Sequence, residues 1–175
     1  MLHKNFTPFP ILKTERLTLR QLSGDDRQSI FALRSNPEVN KYLDRVPSRT
    51  IDDALKFINV INENIEKNNS IYWVATLTGT NTIVGTICLF NFSDEADKCE
   101  IGYELQPEFQ EQGLMKEATE AVITYAFEII DAQAIEAFTH NGNVSSTKLL
   151  KKLGFVQSSQ ADKENPDFTI FILNR

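Results

Sequence analysis

The most informative stretch of this chain is Glu100-Ile-Gly-Tyr-Glu-Leu-Gln-Pro-Glu-Phe-Gln-Glu-Gln-Gly-Leu-Met-Lys-Glu-Ala118. Residues 99–105 predict a strand, a short loop follows, and the loop opens directly into a helix whose apolar residues recur at helical spacing. Gly113 stands at the junction, where the missing side chain lets an anion approach the unpaired N–H groups of a first helical turn. A glycine at such a turn is also typical of ordinary chain geometry, so the junction alone does not identify a site.

The segments on either side alternate between strand and helix patterns. Residues 14–22 alternate in polarity as a strand does, and residues 50–67 predict a helix that begins at a Thr50–Asp53 capping box. Further strands are predicted at residues 71–78, 82–90, 134–139 and 168–173, with helices near residue 30 and over 145–153. This order predicts an α/β (or α+β) fold, with helices on the faces of a mixed sheet.

Length and charge restrict the class of protein. A chain of 175 residues fits one domain, which we place at residues 1–175, and the net charge of −6 argues against a nucleic-acid binder. The same charge is compatible with a cationic amine as substrate. The sequence shows neither a signal peptide nor a membrane-spanning stretch, so we expect a cytoplasmic protein that binds no membrane.

Metal chemistry has no support in the spacing of the ligand-type residues. Cys88 and Cys99 are the two cysteines, and His3 and His140 are the two histidines. These four residues make no spacing typical of a metal site, so we expect no metal and two reduced thiols.

Four segments, in order, resemble the GNAT superfamily of N-acetyltransferases. Gln110-x-x-Gly113-x-Met115 looks like the acetyl-CoA loop of that superfamily. The other three are similar to segments of its ribosomal-protein N-terminal (RimJ/RimL-like) branch: Thr14-Glu-Arg-Leu-x-Leu-Arg20, Glu100-Ile-Gly-Tyr-x-Leu105 with Pro107, and Asn143-x-x-Ser146 followed by Lys152-Leu-Gly-Phe155. The resemblance covers roughly residues 14–157. It implies a single GNAT-type domain with a mostly antiparallel sheet and two strands that splay at the acetyl-CoA site.

The resemblance also implies where acetyl-CoA, the cosubstrate, would bind. Backbone amides around Gly113 would hold the pyrophosphate, and the pantetheine arm would lie between the strand that ends at Leu105 and the strand of residues 134–139. Asn143 would bind the pantetheine amides or only cap the last helix. Met115 stands where Gly or Ala is usual, so we expect crowding there rather than loss of binding. The cofactor-binding candidates are Leu105, Gln110, Gln112, Gly113, Leu114, Met115, Lys116 and Asn143.

Acetyl transfer to an alkylammonium needs a base, because an amine of this kind has a pKa near 10. Glu100 and Glu104 share one face of a strand, and Glu100 matches the recurring glutamate of the family, so it is the first candidate. Ser146 matches a position from which a hydroxyl can protonate the departing thiolate, and it could equally be an ordinary helix-start serine. Trp73, Phe90, Phe92 and Tyr103 could line an acceptor pocket or belong to the core.

The sequence therefore predicts an acetyl-CoA-dependent acyltransferase that works by direct transfer in a ternary complex. A protein N-terminal α-amine is the favoured acceptor. A small amine such as an antibiotic, a polyamine or an amino-acid derivative is the alternative, and so is a CoA-binding regulatory module without catalysis. The protein could be a monomer or a homodimer.

Overall fold

A computed structural model of the protein describes residues 1–160, 162 and 164–175. The strands are β1 (Leu12–Lys13), β2 (Leu17–Gln21), β3 (Ile71–Leu77), β4 (Ile83–Ser93), β5 (Lys98–Leu105), β6 (Ala134–His140), β7 (Val156–Gln157) and β8 (Phe168–Asn174). The helices are α1 (Arg27–Ser35), α2 (Pro37–Asn40), α3 (Ile51–Glu66), α4 (Leu114–Glu128) and α5 (Val144–Lys152). Two 3-10 turns lie at Gly24–Asp26 and Pro107–Phe109.

The eight strands form one sheet in the order β1-β2-β3-β4-β5-β6-β8-β7. Neighbouring strands are antiparallel except β5 and β6, which run parallel, with α4 in the connection between them. A parallel pair needs such a crossover, whereas the antiparallel pairs can be joined by short turns. The predicted mixed, mostly antiparallel α/β sheet is confirmed.

Helices cover both faces of the sheet. Tyr72 and Trp73 are neighbours on β3, so their side chains point to opposite faces. The Tyr72 ring packs edge-on against Phe57 of α3 with ring centroids 5.7 Å apart, and the Trp73 ring packs against Tyr125 of α4 at 5.4 Å. Helix α3 therefore lies on one face and α4 on the other. Within the described residues, no helix is both long and apolar enough to cross a membrane.

Side chains cap the starts of three helices, α2, α3 and α5. Thr50 and Asp53 form the predicted capping box at α3, Asn36 caps α2, and Asn143 caps α5. Helix α4 instead begins after Gly113, which has no side chain to bond the free amides of the first turn. The two-residue strands β1 and β7 and the single turn of α2 were not predicted, because elements so short carry too little periodicity.

Candidate active site

The start of α4 presents free backbone amides. Gly113 has φ 77° and ψ 3°, the left-handed conformation that glycine adopts without a steric penalty. The Glu117 N–H donates to the Gly113 carbonyl at 3.1 Å, so the N–H groups of Leu114, Met115 and Lys116 precede the helical ladder. They point out of the helix at the positive end of its dipole, which suits them to bind an anion.

Arg16, which directly precedes β2, holds this loop in place. Its Nη1 donates to the Gln112 carbonyl at 2.9 Å, and its Nε donates to Oε2 of Glu117 at 2.8 Å. Thr14 Oγ1 also donates to the Glu117 carboxylate. A Cβ added to Gly113 would lie 3.4 Å from Nη2 of Arg16. The sequence motif around residue 16 therefore braces the loop, a role that the motif by itself did not reveal.

The other side chains of the loop mostly hold the loop itself. The Gln110 amide donates to the Leu105 carbonyl at 3.3 Å, and the Gln112 amide donates to the Glu108 carbonyl at 2.9 Å. Lys116 forms an ion pair with Glu120 at 2.6 Å. The Met115 side chain is buried in the core rather than crowding the loop. What these positions offer to a ligand is therefore mainly backbone.

Strands β5 and β6 splay apart beyond their first residues. Their pairing covers only Lys98–Glu100 against Ala134–Glu136, and Lys98 bonds the Glu136 carboxylate at 2.8 Å across this paired base. Past that point β5 continues to Leu105 while β6 stays paired with β8 along its length. The two facing strand edges keep backbone donors and acceptors that an extended ligand with amide groups could use.

Ser146 lies at the mouth of this opening, in the first turn of α5. Its hydroxyl is 2.9 Å from the Tyr103 hydroxyl of β5, with either group able to donate. The Ser146 N–H donates to Asn143 Oδ1 at 3.1 Å. Asn143 is therefore the helix cap, and the Ser146 hydroxyl is engaged with Tyr103 instead. The cap uses only the oxygen of the Asn143 amide.

A cavity of about 300 Å³ opens on the α1–α3 side of the sheet. Glu104 lines it with a side chain that is 9% exposed, and its Oε2 lies 2.6 Å from Nη1 of Arg45. Arg34 of α1, Phe90 of β4 and Tyr103 also line the cavity. The cavity thus combines a buried carboxylate with two guanidinium groups and aromatic walls.

Glu100 and Glu104 share a face of β5 but occupy different surroundings. Glu100 is the last residue of β5 that pairs with β6, and its Oε1 accepts from Asn91 Nδ2 at 3.0 Å. It marks the point where the strands diverge and does not line the cavity. Among the predicted catalytic residues, Glu104 lines the cavity and Ser146 lies beside its Tyr103 wall, whereas Glu100 lies farther back along β5.

Burial raises the pKa of several titrating groups of the site. It raises the pKa of the Glu104 carboxyl, although Arg45 and Arg34 act against that shift. It also raises the pKa of Glu100, against a lowering hydrogen bond from Asn91. A carboxylate with a raised pKa accepts a proton more readily than an exposed one. Burial raises the pKa of the Cys88 thiol in the cavity wall to about 12, so this thiol stays protonated and is a poor nucleophile.

Two groups of the site were missed by the sequence analysis. Arg34 and Arg45 carried no motif, since one lies on α1 and the other in the loop after α2. Of the four aromatic candidates, Phe90 and Tyr103 line the cavity, whereas Trp73 is fully buried in the core. In the part of the chain that the structure describes, no group of three or more His, Cys, Asp or Glu side chains could hold a metal ion.

The arrangement places a candidate base and a candidate acid at adjacent positions of β5. Glu104 holds its buried carboxylate in the cavity. Tyr103 also lines that cavity, and its hydroxyl contacts the Ser146 hydroxyl beside the splay. A group that lies between the splayed strands could be approached by both the carboxylate and the Ser146 hydroxyl.

Comparison with known proteins connects this geometry to a family. Residues 16–156 match the family model described as an acetyltransferase (GNAT) domain. The uncharacterized N-acetyltransferase YoaA of Bacillus subtilis is 33% identical over 147 residues, which are 84% of this chain and 83% of that protein.

Two solved structures show the same architecture. The ribosomal-protein-S5-alanine acetyltransferase from Vibrio fischeri superposes with a TM-score of 0.81 at 21% identity, covering 94% of this chain and 96% of that one. The spermidine N-acetyltransferase from Vibrio cholerae, in complex with CoA and spermine, gives a TM-score of 0.78 at 21% identity. The match covers 91% of this chain and 95% of that one. At these identities the likeness is one of fold.

Proposed function

This chain belongs to the GNAT acetyltransferase family and is an acetyl-CoA-dependent N-acetyltransferase, and from that premise we propose that its acceptor is a protein N-terminal α-amine. The observation that carries the proposal is the buried Glu104 in a cavity beside the β5–β6 splay. The fold shared with a ribosomal-protein acetyltransferase supports this acceptor. We also propose that residues 1–175 act as one domain, since one sheet includes strands from β1 to β8.

The residues at the start of α4 fit the cosubstrate. The pyrophosphate of acetyl-CoA is an anion, and the free N–H groups of Leu114, Met115 and Lys116 would hold it at the helix dipole. Arg16 keeps the loop in the required conformation. The open edges of β5 and β6 would pair with the amides of the pantetheine arm, and Leu105 and Asn143 border that opening. Acetyl-CoA supplies the acetyl group as a thioester.

Two residues would move the protons of the reaction. Glu104 would take the surplus proton of the acceptor amine, since the carboxylate lines the acceptor cavity and has a raised pKa. The amine nitrogen then forms the C–N bond as the C–S bond breaks, and Ser146 would give its proton to the leaving sulfur. The second proton that the nitrogen loses would replace the Ser146 proton through water, and Glu104 would release its proton to solvent. Tyr103 would orient the Ser146 hydroxyl. Glu100 is the second candidate base, from its place where the strands diverge.

Direct transfer fits the state of the thiols. Cys88 lines the cavity, but its pKa of about 12 leaves it protonated near neutral pH. No acetyl-enzyme is therefore proposed. The free thiols of Cys88 and Cys99 also support a cytoplasmic location, where cysteines stay reduced.

A small amine is the second candidate acceptor. The fold shared with a spermidine N-acetyltransferase and the modest cavity volume of about 300 Å³ favour it. One experiment separates the two candidates. A library of N-terminal peptides and a panel of small amines are each incubated with acetyl-CoA, and the free thiol of CoA is measured. Turnover only with small amines would overturn the proposed protein acceptor, and absence of turnover with both would overturn catalysis of amine acetylation.

A further inference from the structure

Two buried guanidinium nitrogens in the acceptor cavity have no hydrogen-bond partner among the described residues: Arg34 Nε and Arg45 Nη2. Both arginines line the cavity of about 300 Å³ that holds Glu104. A buried donor without an acceptor costs free energy, and the cost is larger when the group is charged. Such groups call for an acceptor that the chain itself does not supply.

The carboxylates nearby are already engaged. Glu104 pairs with Nη1 of Arg45 at 2.6 Å, and Asn40 Oδ1 accepts from Arg45 Nε at 2.8 Å. Asp44 also lines the cavity, but its side chain is exposed at the rim, where water screens it. Arg45 thus has a buried carboxylate as its ion-pair partner, whereas Arg34 forms no ion pair with a carboxylate of the described residues.

Arg34 is held in place without being neutralised. Its guanidinium lies over the Phe57 ring of α3, 3.7 Å from the ring centroid. It also lines a second cavity of about 470 Å³, together with Ser48, Arg49 and Asp53. Asp53 accepts the N–H groups of Arg49 and Thr50 as part of the α3 cap. The Arg34 side chain thus lines both cavities.

From these contacts we infer that the acceptor carries a carboxylate in the same molecule as its amine, and that Arg34, assisted by Arg45, binds that carboxylate. The assignment rests on the proposed acetyl transfer and narrows its substrate class. A planar guanidinium binds a carboxylate through paired, charge-assisted hydrogen bonds. The amine of the same molecule would then lie toward Glu104. A polyamine, which is cationic throughout, would meet two like charges here.

The stability of the protein should reflect this arrangement. Burial lowers the pKa of Arg34, and the nearby Arg45 lowers it further, so the charged form is less stable in the folded protein than in the unfolded chain. Replacing Arg34 by Met keeps an apolar side chain against Phe57 and removes the charge. Arg34→Met should therefore unfold at or above the wild-type melting temperature.

The test compares acceptors that differ in one carboxylate. The peptide amides Ser-Asp-Ala-Ala and Ser-Asn-Ala-Ala form one pair, and β-alanine and its amide form the other. For each acceptor, kcat/KM is measured by thiol release, and Kd is measured by calorimetry on the CoA-loaded protein. Wild type, Arg34→Met and Arg34→Lys are compared with Arg27→Met, a control on the exposed side of the same helix.

We expect wild type to prefer the acidic member of at least one pair by about tenfold or more, the scale of a charged hydrogen bond. Arg34→Met should abolish the preference, Arg34→Lys should keep part of it, and Arg27→Met should keep all of it. The pair that shows the preference tells whether the carboxylate comes from a peptide or a small molecule. Equal Kd and kcat/KM within both pairs, or a preference that survives in Arg34→Met, would overturn the inference.

The two proposals fail in different ways. If acidic acceptors bind more tightly through Arg34 but none is acetylated, the carboxylate site stands and the proposed acetyl transfer is wrong. If all four acceptors are acetylated without regard to their carboxylates, the acetyl transfer stands and the carboxylate site is wrong.

Discussion

The hydroxyl groups of Tyr103 and Ser146 lie 2.9 Å apart and join β5 to the first turn of α5 at the mouth of the splay. Burial raises the pKa of Tyr103 to about 12, although its hydrogen bond to Ser146 opposes that shift. The phenol therefore stays protonated near neutral pH. It can hold the Ser146 hydroxyl in one orientation while Asn143 caps the helix beneath it.

Ser146→Ala should lower kcat by more than about tenfold with unchanged affinity for acetyl-CoA, because the leaving sulfur loses its proton donor. The loss should shrink as the pH falls, since the pKa of a thiol is about 8.5 and solvent then supplies the proton more readily. Ser145→Ala, in the same turn but exposed, is the control. Tyr103→Phe should lower kcat by a smaller factor, because Tyr103 only orients the Ser146 hydroxyl. An unchanged kcat in Ser146→Ala would remove Ser146 from the mechanism.

Glu104→Gln should lower kcat by about a hundredfold, because the amide keeps the shape of the side chain and cannot accept the amine proton. Acetyl-CoA affinity should change little. Glu100→Gln is the matched variant, and we expect a smaller effect because Glu100 does not line the cavity. If Glu100→Gln carries the larger loss, the base lies at the point where the strands diverge. Single-turnover measurements on both variants decide the assignment.

The pH profile should report Glu104 directly. Burial raises its pKa, so the basic form is lost at a higher pH than for an ordinary carboxyl group, and activity should fall as the pH drops through that raised pKa. Arg45 lowers the pKa of Glu104, so Arg45→Met should move this acid limb to higher pH. The measurement is kcat/KM against pH for wild type, Arg45→Met and Glu104→Gln. A limb that persists in Glu104→Gln belongs to another group.

Gly113→Val should abolish the rise in melting temperature that acetyl-CoA causes by mass action. Valine is strained at φ 77° and its side chain would meet Arg16. Gly79→Val is a matched control, because Gly79 has φ 86° and a Cβ there would meet nothing within 4 Å. Both variants should lose stability, by about 1–2 kcal/mol from the left-handed backbone. Only Gly113→Val should lose the acetyl-CoA shift; an intact shift would contradict the assigned pyrophosphate site.

Arg16→Met should raise the KM for acetyl-CoA by about tenfold, because the loop loses its contacts to the Gln112 carbonyl and Glu117. Its stability loss should be small, since the Arg16 side chain is about half exposed. Arg20→Met, four residues farther along in β2, should instead lower stability and leave the KM for acetyl-CoA unchanged. It leaves the buried Asp26 unpaired at 6% exposure, costing about 3–5 kcal/mol. Urea unfolding and steady-state kinetics on both variants test this separation.

Several features of the fold follow from local sequence. The Thr50–Asp53 box begins α3 because the bonds it makes are between residues three positions apart. Gly113 marks the start of α4 for a similar reason, since its conformation excludes most other residues. Helix α2 had a local signal too, Asn36 followed by Pro37, which the structure uses as cap and first helical residue. These local signals need no knowledge of distant parts of the chain.

The sequence alone therefore determined the order of the longer elements, the glycine start of α4 and the family resemblance, because neighbouring residues encode them. The tertiary structure decided the site. It brought Arg34 of α1 and Arg45 of a loop to Glu104 of β5, and Tyr103 of β5 to Ser146 of α5. It also decided where β5 and β6 part. Burial, pairing and the resulting pKa shifts depend on contacts between residues far apart in sequence, and no local pattern contains them.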